Sequence, residues 1–425
     1  MTAEITIINR NGVALAADSA VTIGRQRVWK TANKLFSLSP FNDIAIMAYG
    51  AGDFAGVPWE IVIKTFRANI GSKRYDTVEE CANDLVQYLK SLEITQESEE
   101  RASILLLFIK IFERMKKRIG ECATAAEFKQ KIAKQISAEQ AVADRQAPID
   151  LQINLKDFTD KYGDTIFELE KDVFKTHITK KIHNELMKLC HNCFGRASSS
   201  TYETGLVVAG FGKNQIFPCQ IAYIIDGKHK DILRYWSIEE KNADLNKAGT
   251  SNSIITPFGQ GDIAILFLEG IARQHLDYIR KSLKILLDEK SDSLVKAYVQ
   301  DEDEKKVESA LQKRENDKTI SKLGKEFLDY RDKGLVQPIM RVIATLPKEE
   351  MAAMAEALVE ITSLRRRVDS PLESVGGPTD VAVISKGDGL VWMKRKHYFD
   401  PILNGDFARR KQLQFEERRD ETRQK

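Results

Sequence analysis

Hydrophobic and polar positions along this chain change period several times, and each change marks a different kind of element. Glu4 to Asn9 alternates weakly between apolar and polar, the period of a strand with two unlike faces. Gly12 punctuates a turn, and Val13 to Ala17 is a short unbroken apolar run, the mark of a strand buried on both faces. Val28 and Trp29 read as extended. Lys34 to Leu38 and Ile44 to Tyr49 read as two more strands, separated by the turn-forming Ser39-Pro40-Phe41-Asn42-Asp43.

The period then becomes helical. Ala51 to Phe66 and Val78 to Leu92 carry helical spacing, and Asp76-Thr77 makes an N-cap ahead of Glu79-Glu80. From about Ile94 to Ser200 the chain reads as helical and highly charged, with a break at Ala147-Pro148-Ile149-Asp150. Strands return at Thr204 to Gly210 and Gln220 to Ile225, followed by the hairpin-like Asp226-Gly227. Ile254-Ile255-Thr256 leads into Gly259-Gln260-Gly261, and a helix follows from Asp262 to about Ala272. A second charged helical segment runs from about His275 to Val342. Lys348 to Val368 is a further helix opened by Pro347. Asp380 to Ser385 and Gly389 to Lys394 form a hairpin around Lys386-Gly387-Asp388.

Strands, helices, strands, helices, strands in that order fit a layered architecture with helices covering sheet faces. The expected division is a first half of the core over 2–93 and a helical insertion over 94–200. A second part of the core over 201–275 and a charged helical insertion over 276–345 follow. The last helix and hairpin of the core span 346–402, and a charged tail spans 403–425.

Composition narrows the function classes. The 425 residues are 43% hydrophobic, enough for a sizeable core, and 30% charged, which fits long solvated helices. The formal net charge of +3 gives no global pull toward nucleic acid or an anionic membrane. The longest apolar run, Ile104 to Phe112, is interrupted by Lys110 and is too short to span a bilayer. With no basic-then-apolar leader at the start, a cytoplasmic location is expected. The five cysteines are scattered and give no disulfide framework. Cys190 and Cys193, with His191 between them and His183 upstream, lack the second ligand pair that zinc requires, so they read as small buried residues near a helix end. Neither a metal nor a cofactor is expected.

The chemistry starts at Thr2. Methionine aminopeptidase removes Met1 when the second residue is small, which leaves a threonine whose hydroxyl lies beside a free α-amine. Such an amine titrates near neutrality and can act as general base toward its own hydroxyl. Asp18 ends the apolar strand in Gly12-Val13-Ala14-Leu15-Ala16-Ala17-Asp18-Ser19, and Lys34 follows sixteen residues later in Ala32-Asn33-Lys34-Leu35-Phe36. An aspartate and a lysine on adjacent strand ends can pair in the interior. A lysine charge held near the terminal amine and hydroxyl would lower both their pKa values.

These segments resemble the β-subunits of the proteasome and the bacterial proteasome-like peptidase, members of the N-terminal nucleophile hydrolases. In that family the nucleophilic threonine, the aspartate closing a Gly-x-x-x-Ala-Ala/Gly-Asp strand and a strand-borne lysine stand at fixed intervals. Thr2, Asp18 and Lys34 reproduce those intervals without a gap. The resemblance covers roughly Thr2 to Leu92, Thr204 to Ala272 and Lys348 to Tyr398. It implies an α+β fold, a four-layer αββα sandwich of two antiparallel sheets with extra helical insertions.

It also implies a threonine peptidase or amidase in which Gly50 supplies the oxyanion donor at the end of its strand. The family's Asp-x-x-Ser-Gly segment maps onto Asp369-Ser370-Pro371-Leu372-Glu373-Ser374-Val375-Gly376, with Ser374 as the serine and Asp369 or Glu373 as the acid. Phe258-Gly259-Gln260-Gly261 stands where the family has Gly-Ser-Gly, so Gln260 replaces a supporting serine. Pocket positions map to Val21, Ala32, Ala48 and Gly52, all small or apolar, which implies a preference for an apolar residue before the cleaved bond. Implied partners are a peptide or protein substrate, further copies of the chain in a homo-oligomer, and an ATP-dependent unfoldase or other protein. A catalytically inactive assembly subunit and a small-molecule amidase of the same superfamily are the alternative readings.

Overall fold

A computed structural model describes residues 2–23, 27–29, 31–94, 97–149, 151, 153–175, 178–198, 200, 202–229, 232–369, 375–397, 399–400, 402–406, 409 and 413. The chain opens with strands β1 (Ala3–Asn9) and β2 (Gly12–Ala17), the short β3 (Val21–Ile23) and β4 (Arg27–Trp29), then β5 (Leu35–Ser39) and β6 (Asn42–Gly50). Two small strands, β7 (Asp53–Phe54) and β8 (Val57–Pro58), precede helices α1 (Trp59–Ile70) and α2 (Val78–Ser91). Four helices follow: α3 (Glu97–Ile119), α4 (Ala125–Ala143), α5 (Leu155–Phe174) and α6 (Lys180–Phe194). Strands return as β9 (Thr204–Phe211), β10 (Cys219–His229), β11 (Ile232–Ser237), β12 (Ala243–Asp244) and β13 (Ser253–Gly259). Then come α7 (Asp262–Glu269), α8 (Arg273–Tyr298), α9 (Glu302–Arg331), α10 (Gln337–Ile343) and α11 (Lys348–Asp369). The strands β14 (Asp380–Ser385) and β15 (Gly389–Lys394) complete the order.

The strands form antiparallel sheets, so the molecule mixes helices with antiparallel β-structure. One sheet runs β13-β1-β2-β14-β15 and the other β11-β10-β9-β6-β5, with β12 beside β10. The first strand of the chain therefore lies inside its sheet, flanked by β2 and by β13 from much later in the sequence.

Alternation along the strands sorts their side chains into separate clusters. Ile8, Val13, Leu15 and Ala17 of the first sheet share one cluster with Ala45, Met47, Val207, Ala209 and Ala222 of the second. The opposite face of the first sheet, carrying Ile5, Ile7, Ala14 and Ala16, packs on Met351, Ala355, Leu358 and Val359 of α11. The opposite face of the second sheet, carrying Ile44, Ile46, Leu206 and Val208, packs on α1 and α2 through Val62, Phe66, Cys81 and Leu85. Helices α3 to α6 enclose a cluster of their own around Phe108, Phe112, Phe158, Leu186 and Phe194. Cys190 and Cys193 are buried in it.

Two local expectations are corrected. Residues 51–58 are not helical: Ala55 and Gly56 take φ of 49° and 78° to turn β7 into β8, and α1 begins only after Pro58. Strand β10 does not end at Ile225; it passes through Asp226 and Gly227 to His229, with a register shift against β11 between Ile225 and Lys228. Gly227 absorbs that irregularity at φ 114°. The N-cap at Thr77 forms as read: its hydroxyl accepts from the Glu80 N–H at 3.1 Å, and the Glu80 carboxylate accepts from the Asp76 N–H at 2.9 Å.

Candidate active site

Thr2 lies at the head of β1, and the ends of β2, β5 and β13 meet around it. The antiparallel β1–β2 ladder sets Glu4 opposite Ala17, which carries Asp18 to the same end as Thr2. The pairing of β1 with β13 sets Ala3 opposite Gly259. All three polar side chains are buried, Thr2 at 3%, Asp18 at 1% and Lys34 at 4% exposure.

The Lys34 ammonium donates to the Thr2 hydroxyl at 3.1 Å and to Asp18 Oδ1 at 2.6 Å. Asp18 is held in turn from several sides. Its Oδ1 accepts from the Ala3 N–H at 3.1 Å, and its Oδ2 accepts from the N–H groups of Ala20 at 3.2 Å and Gly376 at 3.0 Å. A carboxylate with these donors is fixed in orientation, and it fixes the lysine that reaches past it to Thr2. The Thr2 carbonyl accepts from the Gln260 N–H at 2.7 Å. Gly259 stands at φ 63°, and a Cβ there would collide with that carbonyl. Position 260 thus contacts Thr2 through its backbone N–H.

Gly50 closes β6 at φ 95°, and a Cβ on it would run into the Glu203 carbonyl. The Ala48 N–H donates to the Lys34 carbonyl at 2.9 Å, while the Ala51 N–H donates to the Glu203 carbonyl at 2.9 Å on the other edge. N–H groups alternate between the two edges of a strand, so the Gly50 N–H faces the Lys34 edge. Ala48 and Ala32 are tied to the same region, Ala32 through its N–H to the Ser19 carbonyl at 3.1 Å. Gly52 faces Val21, whose Cγ1 lies 3.5 Å from where a Cβ on Gly52 would stand.

Asp369 is not brought to this cluster. It ends α11, is exposed, and pairs with Arg365 one turn earlier at 2.7 Å. The helix continues through the position where the spacing expected a loop carboxylate. Ser374 lies outside the described residues. From that segment, Gly376 reaches the site: it donates to Asp18, and its carbonyl accepts from the Ser19 N–H at 3.1 Å.

Residues that motif reading passed over lie behind the cluster. Glu4 is fully buried, and among the described residues neither of its carboxylate oxygens has a hydrogen-bond partner. Burial pushes its carboxyl well above the ordinary carboxylate range, against the opposing pull of Lys34. Asp380 pairs with Lys396 beside it. The signal for Glu4 was present in the alternation of β1, which sets it with Thr6 and Ile8 on the inward face.

No family model matches the chain, and no curated protein matches it. Solved structures similar to it include Anbu (ancestral beta-subunit) from Yersinia bercovieri, 10% identical with a TM-score of 0.29, covering 97% of this chain and 95% of that one. An Anbu (Gly-1) mutant from Hyphomicrobium sp. strain MC1 is 10% identical at a TM-score of 0.30, over 97% and 95% of the two chains. The helical assembly of the Anbu complex from Pseudomonas aeruginosa is 11% identical at 0.28, over 97% and 92%. At such scores these likenesses carry no weight for fold or function, and what the site can do rests on its own geometry.

Proposed function

We propose that this chain is an N-terminal threonine hydrolase that cleaves amide bonds, with Thr2 exposed by removal of Met1. One observation carries the reading: a buried ammonium, Lys34, is bonded at once to the Thr2 hydroxyl and to Asp18. A cation placed there favours loss of the hydroxyl proton, because it stabilises the alkoxide that forms. Thr2 Oγ1 attacks the scissile carbonyl carbon while the Thr2 α-amine takes its proton, directly or through water. Negative charge gathers on the carbonyl oxygen, and the Gly50 N–H is the donor we assign to it. Collapse expels the substrate amine, which leaves with the proton held by the α-amine. Water then attacks the acyl ester by the same route and restores Thr2.

The clusters that join the two sheets and cover their outer faces with α1, α2 and α11 support an αββα sandwich around this site. Val21, Ala32, Ala48 and Gly52 form its side-chain pocket in this reading, suited to an apolar residue before the cleaved bond. A panel of peptides with acidic, basic and apolar residues at that position tests the pocket, and an acidic preference would refute it. The resemblance to proteasome β-subunits adds self-assembly and an unfoldase or other protein partner to the proposal.

The test is covalent trapping. An epoxyketone or β-lactone probe, followed by mass spectrometry, is expected to place an adduct on Thr2 that disappears in Thr2→Ala. Folded protein that retains Met1 and takes no label would instead identify a non-catalytic assembly subunit, the reading that glutamine at position 260 favours.

A further inference from the structure

Among the described residues, the carboxyl groups buried behind Thr2 outnumber the lysines bonded to them. Glu4 faces inward on β1, opposite Phe258 on one side and Ala17 on the other. Ala17 in turn stands opposite Asp380 on β14. Opposed residues of an antiparallel ladder share a face, so Glu4 and Asp380 lie on the same inner face, separated only by an alanine. Asp380 pairs with Lys396, and Asp18 pairs with Lys34. Two lysines thus answer two aspartates, and among the described residues Glu4 is a third carboxyl hydrogen-bonded to neither of them.

Among the described residues, none of the groups around it donates a hydrogen bond to it. Tyr49 approaches from β6, with its hydroxyl pushed upward by burial and then by Glu4. Beyond it, Lys241 lies over the Tyr49 and Phe258 rings at 5.9 and 4.8 Å, and Glu203 and Glu240 act on the same tyrosine. A fully buried carboxylate without donors is the costly form of that group, and its neutral form is favoured.

We propose that Glu4 is a positioning residue of the Thr2 site: its carboxyl keeps its proton in the working molecule, and by staying neutral leaves the field of Lys34 undiminished at the Thr2 hydroxyl and amine. The proposal rests on Thr2 being the nucleophile. Its consequence runs in one direction. When base removes the Glu4 proton, a second negative charge appears beside Lys34, the Thr2 amine holds its own proton more tightly, and acylation slows. Burial holds that step well above the ordinary carboxylate range.

Glu4→Gln preserves shape and is neutral at every pH. In the wild-type protein we expect an infrared carbonyl band of a protonated carboxyl at neutral pH, absent from Glu4→Gln. The NMR shift of the Thr2 methyl should show an inflection where that band disappears on titration with base, again absent from the variant. The rate of β-lactone acylation should fall at the same pH in the wild type and stay level in the variant. No protonated-carboxyl band at neutral pH, or a Thr2 inflection unchanged by Glu4→Gln, overturns the proposal. If neither protein takes the probe while both spectroscopic results hold, the hydrolase reading fails and the tie between Glu4 and Thr2 stands. Should Glu4→Gln not fold, coincidence of the band loss and the Thr2 inflection in the wild type decides, and their separation overturns it.

Discussion

Lys34 answers a carboxylate and a hydroxyl with one ammonium, so its removal acts on both stability and chemistry. In Lys34→Ala, Asp18 stays buried with its backbone donors but loses its counter-ion, a change that costs about 3–5 kcal/mol for a buried pair. Denaturant unfolding should show that loss, and probe labelling of Thr2 should become undetectable even in the fraction that is folded. Gly50→Ala separates the two effects. Its φ of 95° and the Glu203 carbonyl leave no room for a Cβ, so the end of β6 must shift and take the N–H with it. We expect acylation of Thr2 to fall by 10²-fold or more, on the order seen when one oxyanion donor is removed, with a stability loss of about 1–3 kcal/mol. Thr2, Asp18 and Lys34, which the fold brings together, were singled out in the sequence by the intervals that the family resemblance supplies. For Glu4 the alternation of β1 gave only its inward face; its surroundings depend on β14 and on Lys396, which the chain supplies almost 400 residues later. Asp369 misled because a carboxylate near a Ser-Gly pattern looks the same on a loop and on the last turn of a helix.

Elements were read well where one period ran unbroken, as in β2, α2 and the β14–β15 hairpin. They were misread where backbone conformation, not side-chain pattern, decided the outcome. Residues 51–58 have helical spacing, yet positive φ at Ala55 and Gly56 makes them a ribbon. Asp226-Gly227 has turn composition, yet it sits within β10 as an irregularity of the ladder. That strand carries a pH-sensitive contact with the helices above it. The His229 ring packs between Phe194 of α6 at 5.1 Å and Tyr162 of α5 at 6.2 Å, and burial lowers its pKa to about 4. The unfolded chain, titrating near 6.5, then binds the proton first. Stability should therefore decline as pH falls from 6.5 to about 4, by about 3 kcal/mol in all. His229→Phe should flatten that part of the pH–stability curve, as measured by denaturant unfolding at each pH. Gly205 carries a second constraint at this scale: a Cβ there would enter the Tyr49 ring. Gly205→Ala should cost about 1–3 kcal/mol through overpacking, read as a lowered Tm.

Across the whole molecule, the pair α8 and α9 stands apart from the sheets. No residue of α9 is buried, and only Val295 of α8 is. The end of α9 is tied to the last residue of α7, where Arg331 bridges to Glu269 at 3.0 Å. Replacing residues 275–328 with a short Gly/Ser linker should leave both Thr2 labelling and cooperative unfolding of the remainder intact, as followed by mass spectrometry and calorimetry. Loss of labelling in that variant would make the helical pair part of the site. The sheet order has a different consequence, one of timing. Strand β1 is made well before its partner β13, which begins only at Ser253. At 5–20 residues per second, about 250 residues of synthesis keep that flank of β1 open for roughly 12–50 s. Thr2 is 3% exposed in the folded chain, so in the proposed reading Met1 would be removed within that interval. The nucleophile we propose would then be uncovered while the chain is still growing.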